Sequence, residues 1–159
     1  MKIYHLNREQ LVKKPLDEVF KYFSKPENLA RITPDALSFK ILTPGPVIMK
    51  EGAIIDYTVS PFGVPLHWRT YISSYDPPRK FVDEQLSGPY KFWHHTHSFK
   101  ATDDGTIIRD EVRYVLPFGT LGRIVHWLFV KNQIEKIFCF RAKIIAEYFS
   151  RDTKSETAG

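Results

Sequence analysis

The chain has 159 residues, 43% of them apolar and 14% aromatic, with a net charge of +5 and a single cysteine. That length supports one domain with a sizeable core, and one cysteine excludes an intramolecular disulfide. The basic residues are scattered rather than blocked or interleaved with aromatics on one strand face, which argues against nucleic acid as a partner.

The N-terminus, Met1 to Arg8, holds no apolar run of signal-peptide length. Nor does any stretch approach the ~20 apolar residues that cross a bilayer, so the expectation is a soluble, cytoplasmic protein. Residues 2–13 alternate as a strand. Pro15 opens a helix through Phe23, with Asp17 and Glu18 in the first turn, where the helix dipole favours acids. Pro26 starts a second short helix that ends before Pro34. Strand-like runs follow at about 37–42, 53–59, 66–75, 80–86, 91–101 and 106–116, which describe an antiparallel meander. From Leu121 to about Phe149 there is no Pro, and no Gly after Gly122, so the segment reads as one helix roughly 43 Å long. Cys139 within it is expected to serve packing. Residues 151–159 are polar and read as a frayed tail, leaving 1–150 as the single domain.

The last two strands carry the most information. Asp103-Asp104-Gly105 between them reads as a hairpin turn. With Thr102 facing Gly105, Phe99 faces Ile108, His97 faces Asp110, His95 faces Val112 and Trp93 faces Tyr114. The alternate residues Arg109, Glu111 and Arg113 are all charged and must meet water. Asp110, Val112 and Tyr114 therefore point inward with Trp93, His95, His97 and Phe99. Two histidines and a carboxylate end up on an apolar face. On the long helix, Trp127, Val130, Ile134, Ile137, Phe138, Ile145 and Tyr148 form one apolar arc with Arg141 near its middle. A guanidinium facing a core must be paired or hydrated. It either snorkels to the sheet edge or reaches Asp110 toward the closed end.

In a meander, alternate loops share an end. The loops at 60–65, 87–90 and 117–122 contain no charged residue, whereas those at 43–52, 76–79 and 102–105 are polar. The uncharged end, with Phe62, Tyr90 and Phe118, either plugs the core or forms an apolar mouth. The first turns of the long helix are apolar on nearly every side, which favours the mouth.

This order of elements, with Phe81-Val82-Asp83-Glu84-Gln85-Leu86-Ser87-Gly88-Pro89-Tyr90 and Trp93-x-His95-x-His97-x-Phe99, resembles the START-like, or SRPBCC, superfamily of helix-grip proteins. The likeness runs from Met1 to Phe149 and is nearest to uncharacterised bacterial members of polyketide cyclase/dehydrase-like or lipid-transport-like type. It implies an α+β helix-grip fold: a curved seven-strand antiparallel sheet wrapped around the long C-terminal helix, with two short helices after the first strand. It also implies an internal cavity. The superfamily spans hormone receptors, lipid and quinone carriers, cyclases and stress proteins, so the fold alone does not choose an activity.

The first reading is a protein that binds or carries a small apolar or amphipathic molecule: a lipid, a quinone or an aromatic polyketide-like chain. Its pocket would be lined by Trp93, His95, His97, Phe99, Asp110, Val112, Tyr114, Phe138 and Arg141. Its mouth would be formed by Phe62, Gly63, Gly88, Pro89, Tyr90, Phe118 and Gly119. The second reading is a cyclase/dehydrase-type enzyme using His97 and Asp110 as acid/base. The third is a non-catalytic module that docks a protein or makes peripheral membrane contact through its rim. His95 and His97 with Asp110 have legitimate metal-ligand spacing, but a third strong ligand would have to come from His67 or elsewhere, so no metal is assigned. His94 and His126 are expected outward or interfacial. No cofactor is implied, and monomer and homodimer both remain open.

Overall fold

The computed structural model describes the backbone of residues 1–156 and the side chains of residues 1–151. Its strands are β1 (Tyr4–Val12), β2 (Lys40–Ile41), β3 (Ile54–Val59), β4 (Leu66–Asp76), β5 (Lys80–Ser87), β6 (Phe92–Thr102) and β7 (Gly105–Val115). They form one antiparallel sheet in the order β1-β7-β6-β5-β4-β3-β2. The meander is as expected, and β1 closes it by pairing along the whole of β7, from Tyr4 opposite Tyr114 to Val12 opposite Thr106.

The β6–β7 hairpin has the register that its alternation dictates. Thr102 pairs with Gly105, and Phe99, His97, His95 and Trp93 face Ile108, Asp110, Val112 and Tyr114. Gly105 is required there, because its φ is +135° and a Cβ would run into the Val12 carbonyl of the neighbouring strand.

The helices are α1 (Leu16–Phe23), α2 (Gly119–Val125) and α3 (Lys131–Glu156). Four differences from the sequence reading have local causes. The run at 37–42 gives only the two-residue β2, because Asp35–Leu37 coils into a 3₁₀ turn and Ser38 takes a left-handed φ of 44°. The second short helix is a single 3₁₀ turn, Pro26–Leu29. The long helix is interrupted by a π-helical turn, His126–Val130. It also continues to Glu156, so the start of the expected tail is helical; residues 157–159 lie outside the described residues.

Packing of α3 onto the sheet follows from one stripe. Ile134, Phe138, Arg141, Ile145 and Phe149 are its buried residues among the described side chains, spaced by three or four along the helix. Cys139 and Tyr148 fall outside that stripe and are exposed, and Trp127 in the π turn is 76% exposed, contrary to expectation. Arg8 pairs with Glu135, and the Gln10 side-chain amide donates to the Ala142 carbonyl at 2.8 Å, so β1 ties α3 to the sheet edge.

The apolar core has two parts. Val19 and Phe20 of α1 pack with Phe81, Phe99, Ile108, Ile145 and Phe149 at one end. Leu6, Val112 and Tyr114 pack with Ile134 and Phe138 nearer the start of α3. Each such side chain contributes about 1.5–3 kcal/mol through burial, enough to hold a sheet and a helix apart around a space that neither fills. No helix among the described residues is long and apolar enough to cross a membrane.

Candidate functional site

Between the sheet and α3 lies a cavity of about 520 Å³. Its walls are mostly aromatic. Tyr57 of β3 stacks on Trp68 of β4 at 5.8 Å, Trp68 meets Trp93 of β6 edge-on at 5.2 Å, and Tyr90 lies 4.8 Å from Trp93. These residues share the inner face because each stands at an inward position of its strand or, for Tyr90, because the loop folds it in. Gln85 holds that loop at both ends of one residue. Its amide nitrogen donates to the Tyr90 carbonyl at 2.6 Å, and its amide oxygen accepts from the Tyr90 N–H at 3.2 Å. Burial pushes the Tyr57 and Tyr90 phenols far above their ordinary value, so both stay neutral.

The polar end of the cavity presents Asp83, His95, His97 and Arg141. Asp83 was not singled out from the sequence. Its strand pairs it with His95, two positions along from Phe81 opposite His97, so all four side chains share a face. The two imidazoles lie close, with ring centres 3.7 Å apart and planes tilted by 35°. His97 Nε2 lies 2.6 Å from Asp83 Oδ2, and His95 Nε2 lies 2.8 Å from Asp110 Oδ1. His97 Nδ1 is 3.2 Å from Asp110 Oδ1 but poorly aligned for a hydrogen bond.

Burial alone would raise both carboxyl groups, yet His95 and His97 hold Asp83 and Asp110 below the usual carboxylate range, with help from Arg141 at Asp83. Burial likewise opposes the imidazolium of His97, but Asp110 and Asp83 outweigh it and raise His97. Burial and the neighbouring charge of His97 push His95 down.

Arg141 is only 9% exposed, and its Nε has no hydrogen-bond acceptor. The guanidinium stands 4.7 Å over the Phe138 ring. It makes no ion pair within 4 Å among the described residues, so the contact with Asp110, one of the two readings of this residue, is absent. Asp110 instead sits behind the histidines, while Arg141 acts on Asp83 across the cavity. Trp68 Nε1, also in the cavity wall, is a second buried donor without an acceptor.

Of the residues expected to line the pocket, Trp93, His95, His97, Phe138 and Arg141 face the cavity. Phe99, Asp110, Val112 and Tyr114 lie behind its wall. Phe99 belongs to the core around Phe20, and Val112 is fully buried. Tyr114 bonds His126 at 2.8 Å. His126 is correspondingly not outward: it is buried and stacks on Tyr4 with ring centres 3.5 Å apart. His67 turns away from the cavity to Asp56 at 2.8 Å, which removes it as a partner for His95 and His97. His94 is half-buried, beside Glu84 at 3.7 Å.

At the other end, the cavity reaches Pro61, Phe62, Pro89, Pro117, Phe118 and Leu121. Two loops there repeat the tripeptide Pro-Phe-Gly, at 61–63 and 117–119. In both, the Phe and the Gly take positive φ: Phe62 56° and Gly63 78°, Phe118 67° and Gly119 51°. The aromatic rings are 81% and 80% exposed. Gly88 also has a positive φ, but Tyr90 beside it is turned into the wall rather than out to the rim. Leu121, Ile124, Trp127, Leu128 and Phe129 extend the exposed apolar surface along α2 and the π turn. Next to Phe118, a surface recess is lined by Lys2, Lys91 and Arg123 and by no acidic side chain.

Comparison with known proteins agrees with this architecture. The family described as polyketide cyclase / dehydrase and lipid transport matches residues 12–137. Among solved structures, the Zhui aromatase/cyclase from a Streptomyces species superposes with a TM-score of 0.75 at 17% identity, over 96% of each chain. A Thermus thermophilus protein gives 0.74 at 14% identity, over 94% of this chain and 99% of the other. A norcoclaurine synthase from Thalictrum, a point mutant bound to a transition-state analogue, gives 0.67 at 17% identity, over 96% and 97%. At these identities the likeness establishes the helix-grip fold. No curated protein matches the sequence.

Proposed function

The chain belongs to the polyketide cyclase / dehydrase and lipid transport family, and from that premise we propose that it binds a small amphipathic molecule whose apolar body lies against the aromatic walls and whose acceptor group meets Arg141. The observation that carries this reading is Arg141 itself, a buried guanidinium with an unpartnered Nε at the edge of an apolar cavity. A buried charge without a hydrogen-bonded partner is costly, and a ligand carboxylate, phenolate or carbonyl would supply one. Trp68 Nε1 offers a second donor to the same molecule. The cavity volume suits a ligand of a few fused or linked rings or a short acyl chain.

The test compares two fluorescent probes with the same aromatic body. One carries a sulfonate (8-anilinonaphthalene-1-sulfonate) and the other carries none (N-phenyl-1-naphthylamine). Arg141→Met is expected to weaken the anionic probe roughly 10- to 100-fold, the ~1.5–3 kcal/mol of a hydrogen bond to a charged group, and to leave the neutral probe within about twofold. Equal weakening of both would sink the anchoring role. An acid/base enzyme is the outcome to favour if a polyketide-like probe emerges chemically altered and His97→Gln abolishes that change.

A second reading concerns delivery. The exposed Phe62, Phe118 and Trp127 beside the recess of Lys2, Lys91 and Arg123 support docking of the mouth on an anionic bilayer, aromatic tips in the lipid and cations at the headgroups.

A further inference from the structure

The two imidazoles between the two carboxylates have a direction. His95 turns Nδ1 toward Asp83 at 3.4 Å and Nε2 toward Asp110 at 2.8 Å. His97 turns Nε2 toward Asp83 at 2.6 Å and Nδ1 toward Asp110 at 3.2 Å. Each ring therefore shows one nitrogen to the carboxylate that lines the cavity and the other to the carboxylate behind the wall. One donor atom from each of Asp83, His95 and His97 lies within 4.8 Å of the others. Three donors thus converge on the cavity side, while one rear carboxylate faces both opposite ring nitrogens. Metal-ligating histidines are oriented in this way, with the free N–H of the ring given to a carboxylate.

We propose that Asp83, His95 and His97 bind a divalent transition-metal ion, with Asp110 as the positioning carboxylate and at least one coordination position left open to the cavity. Two imidazoles and a carboxylate suit zinc or ferrous iron rather than calcium or magnesium, which prefer all-oxygen sites. The tautomers are consistent. With His95 Nδ1 and His97 Nε2 as ligands, His95 Nε2–H donates to Asp110 Oδ1, and His97 Nδ1–H faces the same oxygen at 3.2 Å, a contact that must realign to become a hydrogen bond. The geometry needs little change. Two donors on a tetrahedral ion with bonds of about 2.0 Å stand about 3.3 Å apart. His95 Nδ1 and Asp83 Oδ2 already have that spacing at 3.4 Å. The 2.6 Å contact of His97 with Asp83 must open by about 0.7 Å, as the shared proton leaves and the ion enters.

The charges follow the same logic. A dication cancels Asp83 and Asp110, and Arg141 then leaves the site with one positive charge, which an anionic ligand group would neutralise. Coordination does not depend on Arg141, so the metal site stands or falls separately from the ligand reading above.

The experiment is a cobalt(II) titration of chelator-stripped protein, followed by visible absorption and repeated by competition with zinc. The expected result is a ligand-field band that saturates at one cobalt per chain and is displaced by zinc. Asp83→Asn and His97→Gln should each lower cobalt affinity 100-fold or more, and Asp110→Asn by 10- to 100-fold. His67→Ala, which removes the exposed His67–Asp56 pair, should leave the band unchanged. Near-ultraviolet circular dichroism of each variant separates loss of ligands from loss of fold; if Asp83→Asn unfolds, His95→Gln takes its place. Absence of a saturable band in the wild type overturns the site, as does a band that survives in a folded Asp83→Asn variant or vanishes in His67→Ala.

Discussion

The two ends of the cavity are built on opposite economies. At the polar end, Asp83, His95, His97 and Asp110 are buried or nearly so, and their polar atoms lie within 2.6 to 3.4 Å of one another. At the rim, Phe62 and Phe118 are apolar yet exposed, and each is held in a left-handed backbone conformation that non-glycine residues avoid. One end stores polarity where water is scarce; the other stores apolar surface where water is plentiful. Neither arrangement is what stability alone would select. Both fit the proposed amphipathic ligand, with its head at the polar end and its entrance at the apolar rim.

The largest effect should come from breaking the buried end. Asp110→Ala leaves two neighbouring imidazoles without their rear carboxylate, and is expected to lower unfolding free energy by about 3–5 kcal/mol in urea titrations. A loss below about 1 kcal/mol would mean that the four groups are independent of one another.

The rim should respond in the opposite sense. Replacing Phe62 and Phe118 together by glycine removes two strained backbone positions, against the extra entropy of the unfolded glycines. A net gain of about 1 kcal/mol is expected. The same double variant should lose binding to vesicles of half phosphatidylcholine and half phosphatidylglycerol in co-sedimentation. Unchanged sedimentation would separate the rim from any membrane role, and lower stability would show that the exposed rings do pack.

The smallest effect sharpens the comparison at a buried histidine near the rim. His126 is held down by burial and by Lys2 and Lys131, so it is neutral against Tyr114, whose phenol burial raises to about 12. Above about pH 6.5 this histidine is neutral in folded and unfolded chains alike. Below that value the unfolded chain takes up a proton that the folded chain resists, so stability falls as pH drops toward the depressed folded value. His126→Gln should remove this part of the acid sensitivity, a difference on the order of 1 kcal/mol or less between pH 7.5 and 5.5. Identical pH profiles for variant and wild type would place the titration elsewhere.

How far the sequence could be read differs residue by residue. The pairing of His97 with Asp110 was legible because a two-residue turn sets the register and three charged residues on alternate positions leave one inward face. Asp83 was not, although it completes the cluster. In β5 the two alternating sets, Phe81-Asp83-Gln85 and Val82-Glu84-Leu86, each mix apolar with polar residues, so neither face declares itself. Register shifts between β4 and β5 further uncouple that strand from its neighbour. Arg141 was legible as a misfit in a helical stripe, but its supposed partner was wrong. His126 and Trp127 exchanged places for a reason no 100° wheel contains: a π-helical turn rotates the helix face just there.

Local chemistry in this sequence therefore determined the strands, the hairpin register, the uncharged end and the presence of a cation in the long helix's apolar face. All follow from alternation, turn residues and helical spacing within a few dozen residues. Which side chains touch was decided by tertiary structure alone: Asp83 in front of the histidines and Asp110 behind them, Arg141 facing an open cavity, Tyr90 turned inward and Phe62 and Phe118 outward. Those outcomes depend on the curvature of seven strands and the seat of a helix far along the chain. Period and propensity repeat along the backbone, but they carry no measure of distance across it.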